Sequence, residues 1–175
     1  MIGNDIVDLN IAKTQSNWKR RGYLDKIFTE NEQSLIFESE NPETKVWNLW
    51  SRKEAAYKIF NRSTKIRVFN PKKFDCFDVS IQENKTIGKV ILEDKIYFTK
   101  TIVNADYINS AAITDENQKY SNEIFNIELY NSFLKKKKIV KDQFGIPYIF
   151  DEKTLETKII SIAHHGSFCS YMSVM

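Results

Sequence analysis

Pro71 divides this chain into two hydrophobic periods, and that change constrains the fold more than any other feature. Before it, Val46, Leu49, Trp50, Tyr57 and Phe60 recur at helical spacing as far as about Asn61. Asn41-Pro42 opens this helix, with Asn41 as cap and Pro42 at the first helical position, where a missing N–H costs nothing. After it, apolar residues alternate through 77–82, 89–93, 96–103 and 107–114, which read as four strands of an antiparallel meander. Upstream, 2–9 reads as a short strand and is followed by two helical stretches. The second is opened by Thr29, with Glu30 and Glu32 in its first turn. Downstream, 122–138 reads as a helix, with Ile124, Ile127, Leu129 and Phe133 apolar and Lys135–Lys138 at its end. Gly145-Ile146-Pro147 then turns into a strand at 148–150, and strands at 159–163 and 168–174 close the chain. The class is α+β.

The segment 102–113 echoes 162–174. Each runs strand, polar turn, aromatic residue, then small and apolar residues, so the chain reads as two related half-units. With 42% hydrophobic residues in 175 there is enough apolar material for one shared core. The balance of 26 basic against 23 acidic residues is too mild to mark a nucleic-acid-binding surface, and no uncharged run is long enough to span a membrane. The start Met1-Ile2-Gly3-Asn4-Asp5 has no export signal, so the protein is expected in the cytoplasm, and Cys76 and Cys169 are expected as reduced thiols, Cys169 in a buried strand.

The segment Trp50-Ser51-Arg52-Lys53-Glu54-Ala55-Ala56-Tyr57-Lys58 carries the chemistry. Glu54 and Lys58 stand one helical turn apart, so a carboxylate and an ammonium share one face. Alone, that is an ordinary surface ion pair, and Asp5 alone is an ordinary strand-end residue. Together, a carboxylate on a strand and another on a helix form the minimal protein contribution to a Mg²⁺ site, whose remaining positions go to water and phosphate oxygens. A lysine one turn further on neutralises the same phosphates.

Three segments resemble the signatures of the 4′-phosphopantetheinyl transferases: Gly3-Asn4-Asp5-Ile6-Val7; Trp50 to Lys58; and Gly145-Ile146-Pro147-Tyr148 with Ser161-Ile162-Ala163-His164-His165-Gly166. The resemblance implies transfer of 4′-phosphopantetheine from coenzyme A to a serine of an apo acyl carrier protein, or a peptidyl one, with release of 3′,5′-ADP. Asp5 and Glu54 would ligate Mg²⁺, Lys58 would hold a diphosphate oxygen, and Lys53 would lie near the same phosphates. His164 would contact the 3′-phosphate of coenzyme A while His165 faces away, exposed. The turn carrying Gly145, Pro147 and Tyr148 would pass the adenine. Glu54 or a metal-bound water would take the serine proton, and Lys19-Arg20-Arg21 would meet the acidic carrier protein. The serine is that of a fatty-acid, polyketide or peptide carrier alike.

Three positions depart from the pattern. Val7 stands where two-domain members carry a second acid, Ile146 replaces a lysine, and Ala163 replaces a serine. Asp8 does not substitute for the missing acid, since alternate strand residues face opposite sides. These departures leave open a member that binds coenzyme A or the carrier protein without transfer. Relative to the two-domain members the motifs come in rotated order. The half-unit with the magnesium motifs is expected over 1–116 and that with the coenzyme A motifs over 117–175, in a circularly permuted monomer. The rival arrangement is a homotrimer with sites between subunits.

Overall fold

Ile2–Asp8 forms β1, whose residues are almost all buried because α-helix covers one side and the second half of the chain the other. The computed structural model describes residues 1–135, 137–152 and 154–175. Three short helices follow β1, where periodicity gave two helical stretches: α1 (Leu9–Gln15), α2 (Tyr23–Ile27) and α3 (Glu30–Phe37). The additional break falls at Gly22, which takes a φ of 76° ahead of α2. Thr29 caps α3 through a capping box. Its side chain accepts the Glu32 N–H, and Glu32 Oε2 accepts the Thr29 N–H at 2.9 Å. The long helix α4 (Pro42–Thr64) starts under the Asn41 cap and stops at Lys65, which adopts the left-handed conformation.

The meander follows as β2 (Asp75–Gln82), β3 (Lys85–Leu92), β4 (Lys95–Val103) and β5 (Tyr107–Ile113). Strand β5 returns beside β1, so the five-stranded antiparallel sheet has the order β1-β5-β4-β3-β2. Helix α4 lies across β1 and β5 and buries Val46, Leu49, Ala55, Ala56 and Ile59 against Val7, Val90 and Ile108.

Beyond Ile113 the chain repeats this plan with β6 (Tyr120–Asn126), α5 (Ile127–Leu134), β7 (Ile139–Lys141), β8 (Pro147–Asp151), β9 (Glu156–His165) and β10 (Phe168–Val174). The second sheet runs β6-β10-β9-β8-β7, again with its first strand beside its fifth. Register makes the correspondence residue by residue. Asp8 pairs with Tyr107 as Asn126 pairs with Phe168, and Asp8 and Asn126 each cap the helix that follows. Counting back from the caps, Asn4-Asp5-Ile6 overlays Asn122-Glu123-Ile124. The segments that echo in sequence are the β4–β5 and β9–β10 hairpins.

The expected helix over 122–138 is therefore corrected. Its first five residues, through Asn126, belong to β6, because β10 supplies a complete edge for them to pair with, and the helix begins only where the Asn126 side chain accepts the Leu129 N–H. It ends at Leu134 with Lys135 as cap, and Lys136 lies outside the described residues. Lys137 instead sits over the Phe133 ring at 4.7 Å, and Lys138 bonds Glu152 at 2.6 Å. The three-residue strand β7 escaped the sequence reading altogether.

The halves meet through a small core of Ile2, Ala111, Ile113 and Met172 and through a polar knot. The Ser170 hydroxyl accepts from Asn4 and Asn109, at 2.8 Å each, and donates to Asn122 at 2.9 Å, which uses its whole capacity. Asn122 in turn donates to Asn109 at 2.6 Å. Asn4 corresponds to Asn122 and Asn109 to Ser170, so the knot lies on the local twofold between the halves. The chain ends lie side by side: the Met1 ammonium donates to the Gln118 side chain at 3.0 Å, and the Met175 N–H donates to the Lys119 carbonyl at 3.3 Å. From those bonds to consecutive residues, the two ends lie within roughly 20 Å. Both cysteines are buried and unbridged. Among the described residues no helix is long and apolar enough to cross a membrane.

Candidate functional site

Gly3 makes the site possible. A Cβ at that position would lie 2.2 Å from the Ala55 carbonyl oxygen, so only glycine lets α4 settle directly on β1. Asp5 stands two residues along the strand, and Glu54 and Lys58 flank Ala55 on the helix. Close approach of the two backbones thus brings two acids and a base together.

The helix divides its motif between the interior and the cleft, since successive residues turn by about 100°. Arg52 is fully buried. Its guanidinium bonds Asp78, donates to the Phe77 carbonyl at 2.7 Å and the Lys89 carbonyl at 3.1 Å, and reaches Thr99 at 3.1 Å. Lys53 is also fully buried, with its ammonium on Glu32 at 2.7 Å and on the carbonyls of Pro71 and Phe74 at 2.9 and 2.6 Å. Glu32 spends its other oxygen on the Cys76 N–H at 2.9 Å. Every proton of the Lys53 ammonium has a partner inside the fold, so Lys53 is not brought to the cleft and the expectation that it lies near phosphates is corrected. It ties α3 and α4 to the 71–74 turn ahead of β2 instead.

Glu54 turns the other way and lines a cleft of about 270 Å³ with Asp5, His164, His165, Trp50 and Tyr23. The Glu54 carboxyl is pushed up to about 7, first by burial and then by the negative charge of Asp5, with Lys58 opposing. Burial also raises Asp5, against the pull of Lys58. Lys58 Nζ lies 3.9 Å from Asp5 Oδ1 and donates to the Asn4 and Ile162 carbonyls at 2.7 and 3.1 Å, and burial lowers its ammonium against the pull of both acids. Two carboxylates held together with one partly engaged lysine leave a deficit of positive charge, and that is the character of an oxygen-ligand cation site. Among the described residues no three His, Cys, Asp or Glu side chains are arranged to hold a metal.

Lys58 lines a neighbouring cleft of about 180 Å³ with Asn61, Arg62, Gly145, Pro147 and Ser161. The 145–148 turn is held from the end of α4. Arg67 donates to the Phe144 carbonyl, Lys65 pairs with Asp142 at 3.1 Å, and Asp142 accepts the N–H groups of Phe144 and Ile146 at 2.9 Å each. Tyr148 does not line that cleft; its ring lies under the Arg62 guanidinium at 5.0 Å. Ile146 and Ala163, which depart from the family pattern, are both buried.

The two histidines differ from expectation in their exposure. His164 is exposed and His165 half-buried, yet both line the cleft, because the strand ends there in a turn and strict alternation no longer applies. Asp8 stays out of the cleft: its carboxylate accepts the Asn10 and Ile11 N–H groups as the α1 cap and the Ser167 N–H at 2.9 Å. Those three bonds hold its carboxyl below the usual range against the opposing effect of burial. The sequence reading missed Ser161, whose hydroxyl accepts the Asn4 N–H at 3.1 Å, and Arg62, which donates to the Pro147 and Ile160 carbonyls. Arg62 stands one turn beyond Lys58, a spacing that could have flagged it.

No curated protein sequence matches the chain. Among solved structures it is similar to the holo-[acyl-carrier-protein] synthase of Thermotoga maritima at 13% identity, over 85% of this chain and 80% of that one, with a TM-score of 0.48. The family model described as the 4′-phosphopantetheinyl transferase superfamily matches residues 1–114, which takes in β1 through β5 and the helices between them. That match spans more than half of the sequence and contains Gly3, Asp5, Glu54 and Lys58, and the chain belongs to the 4′-phosphopantetheinyl transferase superfamily.

Proposed function

We propose that the protein transfers 4′-phosphopantetheine from coenzyme A to the serine of an apo carrier protein, with Asp5 and Glu54 holding Mg²⁺. The observation that carries the reading is the convergence of Asp5, Glu54 and His164, from three separate elements of one chain, on a single cleft. Bound there, Mg²⁺ would supply positive charge to the diphosphate and make its phosphorus more electrophilic. Lys58 sits where it can neutralise a diphosphate oxygen, and the exposed imidazole of His164 is available to the 3′-phosphate. The second cleft, under Gly145 and Pro147, takes the adenine end, and Lys58 lines it while its Nζ lies 3.9 Å from Asp5 Oδ1. The serine oxygen forms a new bond to the β-phosphorus as the bond to 3′,5′-ADP breaks, and its proton passes to Glu54 or to water. Positioning and charge neutralisation supply most of the acceleration.

Lys19, Arg20 and Arg21 are exposed, and Arg20 lies 5.2 Å over the ring of Tyr23, a cleft residue. This basic edge is the docking surface we assign to an acidic carrier protein. With Asp5, Glu54 and His164 supplied by one chain, we read the active unit as a monomer whose motifs are circularly permuted. The side-by-side chain ends support that reading. Mass spectrometry of an apo carrier protein incubated with the enzyme, coenzyme A and Mg²⁺ tests the function. Transfer adds one phosphopantetheine; an unmodified carrier rejects the reading and leaves a binding protein.

A further inference from the structure

The cleft contains a second histidine, and its hydrogen bonding fixes what that histidine can do. His165 Nδ1 accepts the backbone N–H of Asp8 at 2.9 Å. A ring nitrogen that accepts carries no proton, so the neutral imidazole bears its proton on Nε2 and is a donor on that side only. Among the described residues Nε2 has no acceptor, while the ring is half-buried and lines the cleft that holds Asp5 and Glu54. A donor with a fixed direction, no partner and an anionic cleft before it lacks an oxygen acceptor.

The ring is held rigidly. Asp8 grips the same turn twice, through its own N–H to His165 and through its carboxylate from the Ser167 N–H at 2.9 Å. Gly166 between them has a φ of 53°, and a Cβ there would lie 2.4 Å from Asp8 Oδ2. The turn of the second half is therefore docked onto the end of the strand that carries Asp5. Asp5 and Glu54 line the same cleft as the ring.

We propose that His165 is a substrate-binding residue, donating from Nε2 to an oxygen of the coenzyme A diphosphate. The inference rests on the transferase reading and adds a ligand contact to it. The test is His165→Asn, because the asparagine carbonyl oxygen occupies the place of Nδ1 and keeps the Asp8 N–H satisfied, while nothing reaches the place of Nε2. The KM for coenzyme A should rise roughly 10- to 100-fold, the worth of one hydrogen bond to a charged group, with kcat little changed. Dephospho-coenzyme A should show the same factor, since the contact is to the diphosphate. His165→Gln, whose amide nitrogen reaches the Nε2 position, should recover most of the loss. Independently of any variant, the ¹⁵N spectrum of the wild-type imidazole should report the Nε2–H tautomer and shift at Nε2 when coenzyme A is added. An active His165→Asn with unchanged KM overturns this inference alone, as does a penalty that disappears with dephospho-coenzyme A, a Gln variant as poor as Asn, or an Nε2 signal indifferent to coenzyme A. A wild type that neither binds nor processes coenzyme A overturns the transferase reading and this contact with it.

Discussion

Replacing Glu54 by glutamine should make the metal-free protein more stable above neutral pH. The Glu54 carboxyl titrates at about 7 in the fold against an ordinary 4.5. Between those values the unfolded chain has lost its proton while the folded chain keeps it. Stability therefore falls as pH rises through that window, and the whole penalty is present above pH 7. At about 1.4 kcal/mol per pH unit the ionised carboxylate costs the fold about 3 kcal/mol. Glutamine cannot ionise, so the variant escapes the decline and also relieves Asp5 of a neighbouring negative charge. Against this, Lys58 loses one of two acids, which trims the gain. Urea unfolding of both proteins in chelator, from pH 4 to pH 8.5, is the assay. The curves should coincide near pH 4 and separate by about 2–3 kcal/mol at pH 8, a melting difference of roughly 5–10 °C for a chain of this size. Mg²⁺ should stabilise the wild type at pH 8 and leave the variant unmoved. A pH-independent gap, or none, would refute the reasoning that burial first, and the charge of Asp5 second, raises this carboxyl.

Gly3→Ala should destabilise by about 2–3 kcal/mol in a thermal melt, since its Cβ would meet backbone 2.2 Å away; a variant with a normal melt and normal transfer would show that α4 need not touch β1. Lys53→Ala should lose about 3–5 kcal/mol by leaving Glu32 buried and unpaired, while Lys58→Ala should lose transfer with a far smaller change in unfolding midpoint, and equal effects on both measurements would contradict the division of the motif. His164→Ala should raise the KM for coenzyme A more than it lowers kcat, and should narrow the preference over dephospho-coenzyme A; undiminished discrimination removes His164 from the 3′-phosphate. Light scattering should give the mass of one chain, 20.6 kDa; a trimer mass would contradict the monomer.

What could be read in the sequence was whatever local pattern decides. The Asn41-Pro42 start, the strands after Pro71 and the strand at the N-terminus needed only caps and periods. The stretch 122–138 misled because Ile124 and Ile127 fit a helix by spacing, whereas the choice was made by β10, a partner 46 residues further along. At the site, the resemblance pointed to Asp5, Glu54 and His164, which the fold brings to one cleft, and to Lys58, which lies beside Asp5, but it could not separate Lys53 from Glu54. Adjacent helix residues point in different directions, and only tertiary contacts reveal which is buried. The same limit hid His165, since strand alternation predicts an outward side chain and the hairpin turn cancels the alternation. Asp8 shows the converse: alternation was enough to keep it out of the cleft.

The duplicated plan also explains why the described residues form one such cleft and not two. Register makes Glu123 the counterpart of Asp5, and Val103 and Asn104 the counterparts of His164 and His165. A second cleft would need a helix delivering an acid and a lysine onto Glu123. Between β1 and β2 the first half places four α-helices, the last of 23 residues, whereas among the described residues between β6 and β7 the second half has only the eight-residue α5. Glu123 is accordingly exposed, and the turn at Asn104 closes on itself, its side chain accepting the Asp106 and Tyr107 N–H groups at 2.9 and 2.7 Å. The halves have divided the work. The first keeps the helix and the acids, the second keeps the histidine turn, and the Ser170 knot and Asp8 hold the two in register. Neither half alone contains both sides of the cleft, so the chemistry depends on their packing as much as on any motif.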